Sequence, residues 1–549
     1  MNRVSGPGKG IRVRVAVKCI SRHLRALFTA RLLAPFARIH LLAALHPRFF
    51  PPLATRHSPL LPLLACLALL AFAPLAQAQS TLTFNVAAGD WNTAGSWDPV
   101  HVPTSIDTVY INSSRTATID SGESGAASVV RVGYGGGQSG TLNANGNLTA
   151  SSNVQIGYGA YQNPASGTFN LGNNTTVTIG GSLTLGEEHA SGTFNQGANT
   201  SVGVGGILTV GGRGNAASTY TVPETGTLTL GSDLRIAYGG WDATGTFTYN
   251  NPDVTLNVPG NVTIGLGVWK NPASGTFNQG SNTSVTIGGT MTVGSGYSDS
   301  VAGGVYTMGS GSSLKLTSGT SDLLIGYATS DLAKGSFTCN GTLEVGRHVT
   351  IGYSSRTAYP STGSFTQGAG SDVTINGTLT VGGYGSTSGV YNLGAAGVLT
   401  VNGATVVSAT GNTSGTFNLN GGTVNLPRQT TINTGGTFTH TAGILRFGLA
   451  GTGAGASHDQ VTVSGGTLAL GGDLEVQLEG GYTPGYADSF TIVTVSSGTL
   501  SGTFANAPTS GQRYSLGMGS ASFIVTYTST SVVLSDYNSG VPTTVFKFR

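Results

Sequence analysis

Glu187-Glu188-His189 is the densest group of side chains in the sequence that could perform acid–base or metal chemistry. Polysaccharide lyases and glycoside hydrolases need clustered acids with a Lys or Arg, or a carboxylate pair across a cleft. The three residues directly follow Leu185-Gly186, at a place where similar segments of the chain have only a glycine-rich turn. Because neighbouring residues of a strand or turn point apart, the pattern favours a solvated turn over a catalytic or metal site.

Other reactive side chains are isolated. The histidines beyond His189 have no His-x-x-His or Glu-x-x-His spacing, so a zinc site is not supported. Cys339 is the only cysteine after residue 78, which leaves no intrachain disulfide, and we expect it to be a packing residue. The sequence therefore predicts no metal, no cofactor and no enzymatic activity. A carbohydrate-active enzyme, either a polysaccharide lyase or a glycoside hydrolase, is the alternative.

A recurring phrase sets the organisation of the chain: Ser-Gly-Thr-Phe-Asn, then Val-Thr-Ile-Gly, then Leu-Thr-Val-Gly. It begins, for example, at Ser166 and again at Ser274. Its aromatic residue returns roughly every 25–30 residues, at Phe169, Phe194, Tyr220, Phe247, Phe277, Tyr306, Phe337, Phe365, Tyr391, Phe417 and Phe438. Periods of this length are typical of solenoids, in which each repeat packs on its neighbours.

Each repeat contains three short segments that are rich in Val, Ile, Thr and Phe and are bounded by Gly and Asn, a pattern typical of strands and turns. A helical period of 3.6 residues does not occur after residue 78. In Leu208-Thr209-Val210, the alternation directs Leu208 and Val210 to one face and Thr209 to the other. We therefore predict an all-β fold: a right-handed parallel β-helix with three short strands per coil and the aromatic residues stacked inside.

Residues 1–78 are predicted to be a signal peptide with an unusually long basic leader. They contain eleven Lys and Arg residues and no acidic residue. An apolar run, Leu60–Leu75, leads into Ala76-Gln77-Ala78, which predicts cleavage between Ala78 and Gln79 and hence export. A start codon placed too early, an extended signal and an Arg-rich transit peptide all remain possible explanations of the length. The run is shorter than the ~20 residues of a membrane span and is broken by prolines.

The charge balance argues against nucleic acid as a partner. The whole chain has 25 Lys and Arg against 22 Asp and Glu, a net charge of +3. Removal of the leader leaves 14 basic residues against all 22 acidic ones, a net charge of about −8. Without a basic cluster the chain has nothing to attract nucleic acid or an anionic membrane surface. We expect no membrane span in the mature chain, and glycans or other surface proteins as partners.

Both ends of a coil stack expose unpaired backbone groups, so covering segments are expected. Residues 79–130 depart from the repeat and contain Trp91 and Trp97, which we expect to pack as an N-terminal cap. The repeats occupy 131–445. Residues 446–536 contain longer strand-like segments, which predict a small antiparallel β cap at the C-terminus, and 537–549 form a tail.

The two ends and the repeats together resemble a known group of proteins. The opening contains Trp91, Trp97, Pro103 and Asp107, and the C-terminal part contains Pro484-Gly485-Tyr486-Ala487-Asp488-Ser489-Phe490. With the Ser-Gly-Thr-Phe-Asn coils, they resemble secreted proteins of Gram-negative bacteria that carry autotransporter-associated β-strand repeats, and autotransporter passenger domains. The resemblance covers nearly all of 80–535. It implies a secreted or cell-surface β-helix that is often adhesive. The residues after the repeats are too few for the membrane barrel of an autotransporter.

Two surfaces are candidates for binding. Tyr161 and Trp269 each lie beside an Asn-Pro pair, and we predict that they share one edge of the rod. The outward threonines are predicted to form ladders along the rod, which could contact glycans, another solenoid or ice, although ordinary β-propensity also explains them. The candidates among these threonines are Thr178, Thr209, Thr263 and Thr286. The sequence therefore predicts an exported, non-catalytic β-solenoid with a structural or adhesive role at the cell surface.

Overall fold

The structure, a computed structural model, describes residues 79–540 except 215–216, 269–271, 298–301, 331, 358–359, 410–412 and 517–520. The predicted signal peptide with Ala78, the candidate Trp269 and most of the predicted tail therefore lie outside the described residues. The regular structure in the described part is β, apart from one 3-10 helix, Ala94–Ser96. In that part, no helix is long and apolar enough to cross a membrane.

Three strands make one coil, and we call the three sides of the rod face 1, face 2 and face 3, with strands numbered in chain order. Face 1 carries the Ser-Gly-Thr-Phe segments in β2 (Ala88–Asp90), β5 (Arg115–Ile119), β8 (Ser139–Ala144), β11 (Ala165–Leu171), β14 (Ala190–Gln196), β17 (Ala217–Val222), β20 (Ala243–Tyr249), β23 (Ala273–Gln279), β26 (Ala302–Met308), β29 (Ala333–Cys339), β32 (Ser361–Gln367) and β35 (Thr387–Leu393).

Face 2 carries the Val-Thr-Ile segments. It contains β6 (Ser124–Ala127), β9 (Asn147–Ala150), β12 (Thr176–Ile179), β15 (Ser201–Val204), β18 (Thr227–Leu230), β21 (Leu256–Val258), β24 (Ser284–Ile287), β27 (Ser313–Leu316), β30 (Thr342–Val345), β33 (Asp372–Ile375), β36 (Val398–Val401) and β42 (Asp473–Leu478).

Face 3 carries the Leu-Thr-Val segments. It contains β1 (Thr81–Phe84), β4 (Thr108–Ile111), β7 (Val129–Tyr134), β10 (Val154–Tyr158), β13 (Leu183–Glu187), β16 (Leu208–Val210), β19 (Leu234–Tyr238), β22 (Val262–Val268), β25 (Met291–Tyr297), β28 (Leu323–Ala328), β31 (Val349–Ser354), β34 (Leu379–Val381), β37 (Thr405–Val407) and β39 (Gln429–Asn433).

Longer strands follow towards the C-terminus, and several of them bend across a corner of the coil. They are β38 (Ser414–Asn425), β40 (Gly436–Leu449), β41 (Gln460–Leu470) and β43 (Phe490–Gly502). Antiparallel pairing joins β44 (Gln512–Ser515), β45 (Ser522–Tyr527) and β46 (Ser531–Asn538) to β43, and β3 (Trp97–Asp98) to β1.

The predicted parallel β-helix is confirmed, since the chain winds about 14 turns of parallel coils with a small antiparallel C-terminal region. The register is the one that the repeat implies: β11 pairs in parallel with β14, with Phe169 opposite Phe194. Parallel pairing also extends beyond the limits 131–445 at both ends, from β1 through β4 to β7 and from β41 to β43. At the C-terminal end antiparallel pairing therefore begins only with β43 and its partners β44, β45 and β46, while β41 still pairs in parallel.

The aromatic residues of the repeat form one buried column inside the rod, as predicted. From Phe169 to Phe438 the ring centroids of neighbouring coils lie 4.6 to 5.7 Å apart. Each ring is almost completely buried, which contributes about 1.5–3 kcal/mol per side chain. At the N-terminal end Trp91 and Trp97 are buried and pack edge-to-face, with ring centroids 5.0 Å apart. This agrees with the packing role expected for them.

The tyrosines of this column are buried, and the hydroxyl group of each has a glutamine partner one coil earlier. The hydroxyl donates to the glutamine Oε1 in the pairs Tyr220–Gln196 (2.8 Å), Tyr306–Gln279 and Tyr391–Gln367 (2.6 Å). The glutamine stands two residues after the aromatic residue of its own coil. Coils that precede a phenylalanine have Ala, Leu, Val, Tyr, Met or Cys at that position. A glutamine at this position therefore occurs only in coils that are followed by a tyrosine coil, where it accepts a hydrogen bond from the tyrosine hydroxyl.

Cys339 occupies this same inward position in its coil. Its Sγ lies 3.8 Å from Sδ of Met308 and is buried. Burial raises the pKa of the thiol to about 11, so the thiol stays protonated at neutral pH. The residue behaves as the packing side chain that the sequence led us to expect.

Replacing both partners of a glutamine–tyrosine pair is predicted to cost less than the sum of the two single replacements. Gln279→Leu leaves the Tyr306 hydroxyl buried without an acceptor, and Tyr306→Phe leaves Gln279 Oε1 without its donor. We expect the urea unfolding free energies of the single and double variants to reveal a coupling of about 1–3 kcal/mol. Phe277→Leu combined with Gln367→Leu, two sites in different coils, is the control for additivity. Purely additive effects at Gln279 and Tyr306 would contradict the pairing.

A buried histidine predicts how the C-terminal coils respond to acid. His440 points inward opposite Leu419, its Nε2 lies 3.0 Å from the Gly443 carbonyl oxygen, and its Nδ1 has no partner among the described residues. Burial lowers the pKa of the imidazole below the ordinary 6.5, against the opposing effects of the Gly443 carbonyl and of Asp473. The folded chain therefore binds this proton less readily than the unfolded chain, and stability is lost as the pH falls below 6.5.

We expect His440→Leu, which copies the Leu419 of the preceding coil, to flatten this dependence. Thermal unfolding of the native chain and of the variant between pH 5 and pH 8 provides the measurement. The native chain should lose stability relative to the variant on acidification. A difference between the two that stays constant with pH would show that His440 does not titrate in this way.

Candidate functional site

An exposed group of aromatic rings lies at the corner between face 3 and face 1. Tyr161, His189 and Trp241 contact one another edge-to-face, and their ring centroids are separated by 5.3 Å (Tyr161–Trp241), 5.4 Å (Tyr161–His189) and 5.5 Å (His189–Trp241). Tyr161 is 63% exposed and Trp241 is 42% exposed. Large aromatic side chains seldom remain exposed together in a soluble protein unless they contact a partner. We call these three residues the aromatic cluster.

The corner turns place the cluster. Tyr161, His189 and Trp241 stand in the turns that follow β10, β13 and β19. Each turn begins just beyond the glycine of the Leu-Thr-Val-Gly segment or its equivalent. At Gly157, φ is +72° and a Cβ would lie 2.2 Å from the Ser191 carbonyl oxygen, so only glycine fits there. The stacked coils thus bring turns that are distant in sequence into contact.

The backbone in these turns is held in an unfavourable conformation. Trp241 has φ +73° and His189 has φ +63°, in the left-handed region that a bulky residue rarely adopts. The His189 amide donates to the Arg213 carbonyl oxygen at 3.2 Å, and the Gly214 amide donates to the Gly240 carbonyl oxygen at 3.0 Å. Conformations of this kind cost about 1–3 kcal/mol and concentrate at functional sites.

Charged side chains border the cluster. Arg213, from the coil after Glu187 and Glu188, lies between the two carboxylates, with Nε 3.9 Å from Glu187 Oε1 and Nη1 3.7 Å from Glu188 Oε1. Burial raises the pKa of Glu187, Arg213 opposes the increase and Glu188 adds to it. In the described part of the chain, no group of three or more His, Cys, Asp or Glu side chains is arranged to hold a metal ion.

A row of stacked tyrosines continues the border towards the N-terminus. Tyr158 stands opposite Glu187 in the β10–β13 ladder and stacks on Tyr134 with ring centroids 4.5 Å apart. The Arg131 guanidinium lies over the Tyr134 ring, 4.3 Å from its centroid, in a cation–π contact. Burial raises the pKa of Tyr158, and the neighbouring Tyr134 and carboxylates raise it further. The edge therefore combines aromatic and charged groups over several coils.

The predicted binding residues lie on three different surfaces. Tyr161 belongs to the aromatic cluster, and its predicted companion Trp269 lies outside the described residues. The candidate threonines all face outward, Thr178 and Thr286 on face 2 and Thr209 and Thr263 on face 3.

The threonine ladders predicted on faces 2 and 3 are interrupted. Thr209 stands between Thr184 and Arg235 in the ladder, and Thr178 stands opposite Gly203. The longer row runs along face 1 and consists of Thr116, Thr141, Thr168, Thr193, Thr219, Thr246 and Thr276. Its signal in the sequence is the threonine of every Ser-Gly-Thr-Phe segment.

His189 and Trp241 are site residues that the sequence analysis did not identify as a binding pair. Trp241 follows Tyr238-Gly239-Gly240 much as Tyr161 follows Tyr158-Gly159-Ala160, so the repeat register contained a signal. The mutual contact depends on how far each turn projects, which the spacing of the repeats does not determine.

Arg213→Met is predicted to raise the pKa of the Glu187 carboxyl group. The variant removes the nearby positive charge that opposes the effect of burial, while it keeps a long side chain over the same surface. A carbon-13 NMR titration of the glutamate carboxyl groups measures the change. Arg235→Met, whose guanidinium pairs with Asp233 at 3.2 Å, is the matched control. An unchanged Glu187 titration in Arg213→Met would contradict this electrostatic coupling.

Comparison with known proteins gives a distant structural likeness only. No protein family and no curated protein matches the sequence. Among solved structures, the Haemophilus influenzae Hap adhesin is similar to this chain, with 13% sequence identity and a TM-score of 0.23. The alignment covers 79% of this chain and 60% of the adhesin chain, so this chain matches less than two thirds of the adhesin's length. The assignment of a parallel β-solenoid rests on the strand pairing described above.

Proposed function

We propose that the chain is exported and serves, without catalysing a reaction, as a stiff rod with a structural or adhesive role at the cell surface. In this proposal the aromatic cluster is its contact with glycans. The observation that carries the proposal is the mutually packed group Tyr161, His189 and Trp241. Tyr161 and Trp241 are exposed, and His189 and Trp241 have a left-handed backbone conformation.

The coil stack supports the structural part of the proposal. Each coil pairs its backbone with the coils before and after it, so stiffness accumulates along the rod without a cofactor. Charged side chains on the surface also pair between coils. Lys315 Nζ lies 2.6 Å from Glu344 Oε2, and Arg347 Nε lies 2.7 Å from Asp322 Oδ1. Such contacts tie adjacent coils together and limit repulsion between stacked like charges.

The chemistry of the cluster supports a glycan as the ligand. The exposed rings of Tyr161 and Trp241 offer apolar surface to the C–H groups of a sugar ring. The carboxylates of Glu187 and Glu188 accept hydrogen bonds, and the guanidinium of Arg213 donates them. A few polar groups beside an aromatic surface are typical of sites that orient a small polar ligand.

The arrangement of the acids supports binding rather than catalysis. Glycoside hydrolysis needs two carboxyl groups on opposite sides of the scissile bond. Glu187 and Glu188 are consecutive, and both lie beside the same guanidinium of Arg213. The two carboxylates therefore lie beside each other rather than across a cleft.

Trp241→Ala and Tyr161→Ala are each predicted to weaken glycan binding by at least tenfold. Loss of an aromatic contact at the centre of a site costs about 2 kcal/mol or more, and 1.4 kcal/mol is about tenfold in affinity. A glycan array probed with the full chain and its variants measures the effect. Tyr486→Ala removes a tyrosine that is 77% exposed but lies far along the chain, and it should bind like the native chain.

Three array results would contradict the proposal: no binding by the native chain, unchanged binding by Trp241→Ala, or an equal loss in Tyr486→Ala. Thermal unfolding of each variant checks that the coils remain intact. Because the cluster is at the surface, the midpoints should stay close to the native value.

A further inference from the structure

The turn between face 1 and face 2 is shorter than in the neighbouring coils after β8 and after β29, and the turn after β8 borders a cavity. The turns after β5 and β11 contain four residues each, 120–123 and 172–175, whereas the turn after β8 contains only Asn145-Gly146. Gly146 lies close under the preceding turn, since a Cβ there would be 2.4 Å from the Glu123 carbonyl oxygen. The two-residue turn therefore projects less far from the rod than the four-residue turns on either side of it.

A cavity of about 230 Å³ lies at the corner beside the turn after β8. Its lining comes from the three successive turns and includes Glu123, Asn145, Asn147, Asn173 and Asn174. We call this cavity the notch. Its lining contains no aromatic side chain, no large apolar side chain and no Lys or Arg. An apolar ligand would therefore find no complementary surface in it, and the Glu123 carboxylate would repel an anion.

The amide side chains of the notch are oriented by the coil that follows. Asn147 Oδ1 accepts the Thr176 amide at 2.8 Å, and Asn173 Oδ1 accepts the Ala198 amide at 2.8 Å. Asn174 Oδ1 accepts Nδ2 of Asn199 at 3.2 Å. The oxygens are thus engaged, and no acceptor in the described part of the chain takes the NH2 groups of Asn147, Asn173 or Asn174. Three fixed donors remain for a ligand.

The Glu123 carboxylate adds a hydrogen-bond acceptor to the amide donors of the notch. Glu123 Oε2 receives a hydrogen bond from Nδ2 of Asn92 at 2.8 Å, and a carboxylate has further acceptor capacity. A divalent cation would need six to eight oxygen ligands. The oxygens of Asn147, Asn173 and Asn174 already accept hydrogen bonds, so the notch is better suited to hydroxyl groups.

We propose that the notch binds one ring of a neutral sugar. The NH2 groups donate to hydroxyl oxygens of the ring, and the Glu123 carboxylate accepts a hydroxyl hydrogen. The notch lies at the corner between face 1 and face 2, whereas the aromatic cluster lies between face 3 and face 1. The two sites use different residues, so this inference does not depend on the proposed role of the cluster.

A neighbouring turn of the same chain provides a template for a variant in which the notch is filled. Replacing Asn145-Gly146 with Gly-Asn-Asn-Thr, the turn found at 172–175, makes this turn equal in length to its neighbours. The same replacement at Asn340-Gly341, the two-residue turn after β29, is the matched control. Glu123→Ala is a second variant that leaves the turn length unchanged and removes the acceptor.

Saturation-transfer NMR of the full chain with methyl β-glucopyranoside, methyl β-galactopyranoside and methyl N-acetyl-β-glucosaminide tests the proposal. We expect at least one glycoside to bind the native chain. The variants are made in the Trp241→Ala background, so that the aromatic cluster does not contribute to the signal. In that background binding should fall at least tenfold in the closed-notch variant and in Glu123→Ala, and should persist in the Asn340-Gly341 control.

Other outcomes overturn the inference. Failure of all three glycosides to bind the native chain, or undiminished binding by both notch variants, would show that the notch is not a sugar site. Loss of binding in Trp241→Ala alone would assign the glycoside to the aromatic cluster. Calorimetric binding of calcium chloride that depends on Glu123, without glycoside binding, would make the notch a cation site instead.

Discussion

In-register stacking of one inward aromatic ring on the ring of the next coil is the interaction on which the structure depends. It requires every coil to present the same kind of side chain at the same height, as Phe169 and Phe194 do in the β11–β14 ladder. A slip of one residue would turn each inward side chain to solvent. The glutamine–tyrosine pairs add a second requirement, because Gln279 satisfies a hydroxyl only in the coil that follows it.

The corner turns do not have to present a fixed inward side chain to the next coil, and the candidate binding sites are found in these turns. A turn that lengthens, shortens or bends leaves the stacked column intact, so its side chains are free to serve other purposes. The aromatic cluster results from turns that project, with Trp241 on a strained backbone. The notch lies beside one turn, Asn145-Gly146, that is shorter than its neighbours. In-register stacking thus fixes the inward side chains but leaves the length and conformation of the corner turns free to vary.

Much of the interior could be predicted from the sequence, because period-two alternation and the repeat together assign inward residues such as Phe277 and outward ones such as Thr276. The contact of Tyr161 with Trp241 could not, since it spans several coils and depends on the projection of each turn. The repeat register places Gln279 two residues after Phe277, but its hydrogen bond with Tyr306 can be assigned only after the coils have been stacked in parallel. The edge predicted for Tyr161 and Trp269 stays a prediction, because Trp269 lies outside the described residues; the observed neighbours of Tyr161 are His189 and Trp241.

Removal of one complete coil tests the stacking account most directly. Phe337 stands opposite Phe365, so deleting 337–364 joins Ser336 to Phe365 and preserves every inward position. The account predicts a folded β-rod that is shorter by one rung, about 4.8 Å, in small-angle X-ray scattering. Deleting only 337–350 should prevent folding of the coils around it, because the faces no longer align. Equal disruption by the two deletions would contradict the account.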